Sequence, residues 1–316
     1  MTIPASLIID DGAPVNPLYW LHPHVPHGHI IPNSLVRQFA DVCDRYGATG
    51  KFTVLPMPAA LGRIDERLNY VSQAHLTGFL KAARERIAPR WDITSELLTH
   101  DVTYDIKTGR YLREFEDAFV SRGTVKEMTD YLALSFRILK RVGLSANGVT
   151  SPWIAGIDNE RRYAEAIARA QHRVHRRKFA WYFLHLFGRR RPGWPWVAWR
   201  SRKEGLVCVT VPANTDDPFG ATCSASSARG ARAAALAGAD SMLTRDGRRG
   251  RVREIFDARC PIVILTHWTN LYSEGRCSGL WGLEQLLARI AATFGRQVEW
   301  MRCSRLARSV LKAKPR

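Results

Sequence analysis

Ser6-Leu7-Ile8-Ile9-Asp10-Asp11-Gly12 is the most informative stretch of this 316-residue chain. Leu7, Ile8 and Ile9 form a short β-rich apolar run, which is typical of a strand buried on both faces. Such strands belong to parallel sheets that are covered by helices. The stretch therefore predicts an α/β protein whose first strand ends in two adjacent carboxylates.

The same pattern recurs along the rest of the chain. Further β-rich apolar runs lie at residues 51–56, 91–95, 147–151, 179–185, 206–211, 262–266 and 297–301. Between most of them apolar residues recur at helical spacing, as in the segment that a Thr124–Glu127 capping box opens. We expect a distorted (β/α) barrel of about seven to eight parallel strands. An open doubly wound sheet is the alternative, although the dinucleotide-binding glycine pattern is absent after the first strand.

The chain is expected to form one domain over residues 1–306, followed by a flexible basic tail at residues 307–316, because no internal repeat or low-complexity linker is seen. No apolar run approaches the roughly 20 residues of a membrane span. The chain shows no basic leader and no C-x-x-C pair among its six cysteines. A cytoplasmic protein with reduced cysteines is therefore expected.

The net charge of +18, from 47 basic and 29 acidic residues, is concentrated in two segments. Residues 172–203 hold ten Lys or Arg, and residues 302–316 hold six, with no carboxylate in either segment. The first segment also contains Trp181, Trp194, Trp196 and Trp199, which could stack on bases beside phosphates. A nucleic-acid or polyanion binder is therefore an alternative, ranked last because it explains none of the polar strand ends; a solvated basic face is the simpler interpretation.

Polar residues follow the predicted strands at the ends where a β/α barrel gathers its reactive side chains. Carboxylates and imidazoles that bind a divalent ion and leave one position open are the requirement of metal-assisted hydrolysis. The residues in these positions are Asp10, Asp11, Glu96, His100, Pro152, Trp153, His185, His267 and Trp268.

Four of these segments resemble the motifs of the polysaccharide deacetylases, carbohydrate esterase family 4, also described as the chitooligosaccharide deacetylase homology superfamily. The segments are Ile8-Ile9-Asp10-Asp11-Gly12, Leu97-Leu98-Thr99-His100, Ser151-Pro152-Trp153 and Ile264-Leu265-Thr266-His267, in the family's order. The resemblance implies a distorted β/α barrel in which Asp10 is the general base and Asp11 a metal ligand. It also implies that His100 is the first histidine ligand and that His267 protonates the leaving group.

The chain departs from this family at two points. Tyr104 stands where the second metal histidine is expected, and the arginine before the Pro-Trp pair is missing. His22 or His24, in the histidine-rich loop after the first strand, is the expected replacement ligand. Further candidates are Asp101, Asp105 and His185.

The first hypothesis is a metal-dependent hydrolase, with Zn²⁺ as the expected ion, that removes an acetyl or other acyl group from an amino sugar or related carbohydrate. Such an enzyme acts on non-peptide C–N bonds or on esters. Glycoside cleavage by Asp10 with Glu96 or Asp101 is an alternative, as is a catalytically degenerate carbohydrate-binding barrel. The predicted substrate contacts are Trp20, Pro152, Trp153, His185 and Trp268.

Overall fold

The structure, a computed structural model, describes residues 2–17, 30–185 and 191–312. Its strands are β1 (Ile3–Asp10), β2 (Gly50–Thr53), β3 (Asp92–Ser95), β4 (Val102–Asp105), β5 (Arg110–Phe115), β6 (Gly148–Thr150), β7 (Phe179–Leu184), β8 (Trp196–Ser201), β9 (Leu206–Pro212), β10 (Ile262–His267) and β11 (Val298–Trp300). Its α-helices are α1 (Asn33–Arg45), α2 (Gln73–Ala82), α3 (Glu116–Arg122), α4 (Val125–Arg141), α5 (Glu160–His175), α6 (Ala228–Met242), α7 (Arg251–Asp257), α8 (Trp268–Tyr272), α9 (Ser278–Phe294) and α10 (Cys303–Lys312).

One mostly parallel sheet organises these elements. Its strand order is β10-β1-β2-β3-β6-β7-β9-β8, with β11 pairing along the start of β1. Only β8, at one edge, runs antiparallel to its neighbour. β4 and β5 form a separate hairpin. The predicted α/β class with a parallel sheet is confirmed, and the helix that the Thr124–Glu127 capping box opens is α4.

The sheet curls into a half-barrel flanked by helices. His185, which follows β7, lies with Nε2 3.2 Å from Oδ2 of Asp10 at the end of β1. β7 is four places from β1 in the strand order. A flat sheet would hold these ends about 19 Å apart, at roughly 4.8 Å per strand. Strong curling of the sheet therefore brings residues of distant strands into one site.

A closed ring of strands is not seen, because among the described residues no ladder joins β10 to β9 or β8. The loop after β9 occupies the free edge of β10 instead. Thr215 Oγ1 accepts the backbone N–H of Leu265 at 3.0 Å, and the Asn214 amide donates to the Pro261 carbonyl at 2.8 Å. Side chains of a loop thus take the place that a closing strand would occupy.

The interior of the half-barrel is filled by side chains from opposite strands. These residues are Ile8, Phe179, Trp181, Phe183, Val209, Val211, Val263 and Leu265. Helix α10 packs Cys303, Leu306 and Ala307 into the same cluster. The prediction of a flexible tail from residue 307 is therefore wrong for the described part of that segment, because α10 runs to Lys312 and buries an apolar face. No helix of the described ranges has the length and apolarity needed to cross a membrane.

Candidate active site

Three buried side chains meet at the carboxyl ends of β1 and β3. His100 Nε2 lies 2.7 Å from Asp11 Oδ1 and 3.8 Å from Glu96 Oε1. The ligand atoms of all three lie within 4.8 Å of one another, so the group could hold a metal ion. The donor set fits this use, because one ring nitrogen carries at most one proton and cannot satisfy two carboxylates, whereas a dication can be shared by all three.

The charges of this group favour a cation. Burial raises the pKa of Glu96, and with the nearby Asp10 and Asp11 carboxylates the result is about 8, although His100 opposes the rise. Burial lowers the pKa of His100, but the charges of Asp11 and Glu96 raise it well above its ordinary value. The metal-free group therefore retains protons that a divalent ion would displace.

The loop that carries His100 is held by Glu116, the first residue of α3. Its buried carboxylate accepts the backbone N–H groups of Leu98 (2.9 Å), Thr99 (3.0 Å) and His100 (2.8 Å). The Tyr131 hydroxyl donates to the same carboxylate at 2.6 Å. His100 itself has a positive φ of 72°, a strained conformation that costs on the order of 1–3 kcal/mol. Glu116 thus holds the loop that presents His100 in this conformation.

Tyr104, which stands where a second metal histidine was expected, lies on the β4–β5 hairpin. Its ring packs against Tyr111 on the same hairpin, at a centroid distance of 5.3 Å. Glu96, four residues before His100, is the third member of the group that could hold a metal ion. Asp105 is outside the group, since it caps the turn of the hairpin. His22, His24 and Trp20 lie outside the described residues.

Asp10, next in sequence to Asp11, is fully buried. The Lys51 ammonium, from β2, contacts Oδ1 of Asp10 and also Thr53 Oγ1 (2.9 Å) and Thr150 Oγ1 (2.5 Å). His185 Nε2 approaches Oδ2. Burial alone would raise the pKa of Asp10. Lys51 and His185 lower it by more than this, so the net pKa is well below its ordinary value. Lys51 thus supplies a positive partner for the buried Asp10 carboxylate.

His267 lies across the site from the metal-binding group. Its Nδ1 is 2.7 Å from Oδ2 of Asp217, and the same oxygen accepts the backbone N–H of His267 (2.8 Å) and the amide of Asn270 (2.8 Å). Burial lowers the pKa of His267, but the hydrogen bond with Asp217 and the charges of Asp11, Asp217 and Asp10 raise it to about 10. His267 is therefore cationic at neutral pH.

The rings of His185 and His267 face each other in parallel, with centroids 6.3 Å apart and planes 6° apart. Burial lowers the pKa of His185 and outweighs the stabilising effect of Asp10, while the charges of His267 and Lys51 lower it further. A neutral imidazole thus stands beside a cationic one.

These groups border a cavity of about 460 Å³ at the mouth of the half-barrel. Its lining residues are Asp11, Glu96, His100, Trp153, His185, Ala213, Thr215, Asp216, Asp217, Leu265, His267, Thr269 and Asn270. Trp153 is 38% exposed, and its indole N–H donates to the His100 carbonyl at 3.2 Å. The structure therefore brings together Asp11, Glu96, His100, Trp153, His185 and His267 of the predicted residues, and adds Asp217.

Two of the predicted substrate contacts lie elsewhere. Trp268 is fully buried, and its ring makes edge contacts with Phe39 and Phe52 in the core. The prediction that Trp268 offers a face to a sugar is wrong, because the apolar core takes that face. Pro152 is buried in the turn before Trp153 and does not line the cavity.

The basic, tryptophan-containing segment offers little stacking surface. Trp181 is fully buried in the half-barrel, and Trp199 is buried as well. The Trp196 indole donates to Glu160 at 2.8 Å. Trp194 is 49% exposed. Three of the four indoles are thus engaged within the fold, which removes the main support for a base-stacking surface.

Comparisons of the chain with protein-family models, with curated proteins and with solved structures find no match. The resemblance to the polysaccharide deacetylases is carried by the four sequence motifs.

Proposed function

We propose that this protein is a metal-dependent hydrolase that removes an acetyl or related acyl group from an amino sugar or related carbohydrate. The observation that carries this proposal is the cavity itself: the Asp11–Glu96–His100 group and the His267–Asp217 pair border the same space. Eight parallel strands and a site at their carboxyl ends support a distorted barrel of the deacetylase type.

Asp11, Glu96 and His100 would hold the metal ion, and Zn²⁺ suits a set of one imidazole and two carboxylates. Three protein ligands leave a coordination position open, which is the arrangement of catalytic zinc sites. Such an ion, when bound, lowers the pKa of a coordinated water and polarises a carbonyl group.

His267 would supply the proton that the leaving group needs. Asp217 holds Nδ1, so the Nε2 proton is the one available to a departing amine or alkoxide. Asp217 also fixes the ring through a carboxylate–imidazole hydrogen bond, as orienting carboxylates do for catalytic histidines. The raised pKa of His267 keeps its ring protonated at neutral pH, so that it can donate.

Trp153 would provide the flat apolar surface for a sugar ring at the rim, because its indole is partly exposed and anchored by its N–H. The cavity volume lies within the roughly 300–1,000 Å³ of small-molecule sites. All six cysteines are free, which supports a reducing compartment and the proposal of a cytoplasmic protein.

The metal site is tested by elemental analysis of the purified full chain after loading with zinc. We expect one zinc per wild-type chain and a loss of zinc in Asp11→Asn and His100→Ala. Asp105→Asn, in the exposed turn of the β4–β5 hairpin, is the matched control and should keep its zinc. Unchanged zinc in all three variants would exclude this site.

The reaction is tested by incubating the zinc-loaded protein with acetylated chitooligosaccharides and measuring released acetate and new reducing ends. Acetate release without new reducing ends supports acyl hydrolysis. Glycoside cleavage would give the reverse result. The structure favours acyl hydrolysis over glycoside cleavage. Asp10 is fully buried against Lys51 and His185 and does not line the cavity, so it is not placed to act there as one of a carboxyl pair.

A further inference from the structure

The group beside the cavity that can accept a proton differs from the one expected from the motifs. A general base must lie within about 2.6–3.2 Å of the atom whose proton it takes. Asp10 is fully buried and does not line the cavity, whereas His185 does. A water molecule in the cavity therefore has access to the imidazole and not to the carboxylate behind it.

We propose that His185 accepts the proton of the attacking water and that Asp10, held by Lys51, positions His185. This inference rests on the acyl hydrolase function proposed above. It changes the role of Asp10 from a base that contacts the water to a positioning residue, and it assigns Lys51 to the same support.

The two carboxylate oxygens of Asp10 contact different partners. Oδ1 contacts the Lys51 ammonium, and Oδ2 faces Nε2 of His185 at 3.2 Å. A proton on Nε2 is favoured beside this carboxylate, and in the proposed arrangement the lone pair of His185 is on Nδ1. Lys51, fully buried and also bound to Thr53 and Thr150, keeps Asp10 charged and in place.

The charged groups packed around His185 come from three strands: Asp10 from β1, Lys51 from β2 and His267 from β10. The two cations oppose a second proton on His185, and burial acts in the same direction. His267 keeps its proton because Asp217 pairs with it. The two imidazoles are stacked, and their surroundings favour a neutral His185 and a protonated His267. Such a pair can act as base and acid.

In the proposed step the water oxygen forms a bond with the acyl carbon, and its proton passes to Nδ1 of His185. The bond from the acyl carbon to nitrogen (or oxygen) then breaks, and His267 Nε2 gives its proton to the departing atom. Amide and water thus become carboxylic acid and amine. The proton on His185 passes to solvent, and His267 regains one from solvent, so the cycle closes without an oxidant or reductant.

The tautomer of His185 tests the geometry without any substrate. Nitrogen-15 NMR of the zinc-loaded full chain, with the His185 signal assigned by its loss in His185→Ala, should show a neutral ring protonated on Nε2 at pH 7. Asp10→Asn should shift this signal, and the distant variant His172→Ala should not. A ring protonated on Nδ1, or a doubly protonated ring, would overturn the proposal.

Kinetics test the role, with 4-nitrophenyl acetate and N,N′-diacetylchitobiose as probes. 4-Nitrophenolate can leave as an anion, whereas an amine must gain a proton in order to leave. His185→Ala should therefore lose about 10²- to 10⁴-fold on both probes, while His267→Ala should lose as much only on the amide. Added imidazole should restore amide hydrolysis in His185→Ala, and His172→Ala should match the wild type.

Full activity of His185→Ala, or a loss that imidazole does not restore, would overturn the assignment of His185 as the base. A wild-type protein that binds zinc but hydrolyses neither probe would count against the proposed function instead. The tautomer measurement would still decide the support of His185 by Asp10 in that case.

Discussion

Glu116 accepts the backbone N–H of His100 at 2.8 Å, and this bond joins the start of α3 to the loop that presents a proposed metal ligand. The same carboxylate holds the two preceding backbone N–H groups. Three consecutive donors on one buried carboxylate leave the loop little freedom. The position of His100 is therefore set before any metal binds, so binding costs less conformational entropy.

Glu116→Gln should weaken zinc binding by about 10- to 100-fold, which is the usual effect of disturbing the support of a metal ligand. The amide nitrogen of glutamine cannot accept hydrogen bonds from backbone N–H groups, so part of the bonding of Glu116 to the loop before and at His100 would be lost. Competition with a chromophoric chelator measures the affinity. Glu114→Gln, a partly exposed neighbour paired with Arg122, is the control and should bind zinc as the wild type does. Equal zinc affinities of both variants would contradict the claim that Glu116 positions His100 for zinc binding.

Lys51→Met should lower the free energy of unfolding by about 3–5 kcal/mol, because it leaves the Asp10 carboxylate buried without its cation. The double variant Lys51→Met/Asp10→Asn should recover part of the loss, since no buried charge then remains. Urea denaturation measures both. Lys126→Met removes an exposed pair with Asp130 and should change stability by less than about 1 kcal/mol. A double variant no more stable than Lys51→Met would argue against this account.

Asp217→Asn should lower the pKa of His267 from about 10 towards its ordinary value of 6.5. The folded-state pKa is raised, so the pair contributes stability that is fully present below pH 6.5 and is lost as the pH rises towards 10. The stability difference between wild type and Asp217→Asn should therefore shrink across that range. Denaturation of the metal-free protein at several pH values measures it, and a difference that is flat with pH would refute the assignment. Asp216→Asn is the adjacent, exposed control.

Zinc binding at pH 7 should release about two protons, one from His100 and one from Glu96, because both have raised pKa values in the metal-free protein. At pH 9 the release should fall to about one, since the Glu96 pKa is about 8. Calorimetric titration in buffers of different ionisation enthalpy counts the protons. A binding enthalpy that does not depend on the buffer would mean that the group is already deprotonated.

Local patterns predicted much of the fold, because alternating apolar runs and helical periodicities are short-range features. They placed strands at all eight runs, and they located the start of α4 by its capping box. The sequence did not reveal β8 or α10. β8 is an edge strand with a mixed burial pattern, and α10 lies in a segment whose arginines and lysines suggested a solvated tail.

The strand ends by themselves indicated Asp11, His100, His185 and His267, since a chain that alternates strands and helices gathers those ends at one mouth. The tertiary structure decided which of them meet. Glu96 joins Asp11 and His100, and Lys51, Glu116 and Asp217 support the site from positions 41, 16 and 50 residues away from their partners. No local periodicity encodes such pairings, because they depend on how far the sheet curls and on where each loop returns.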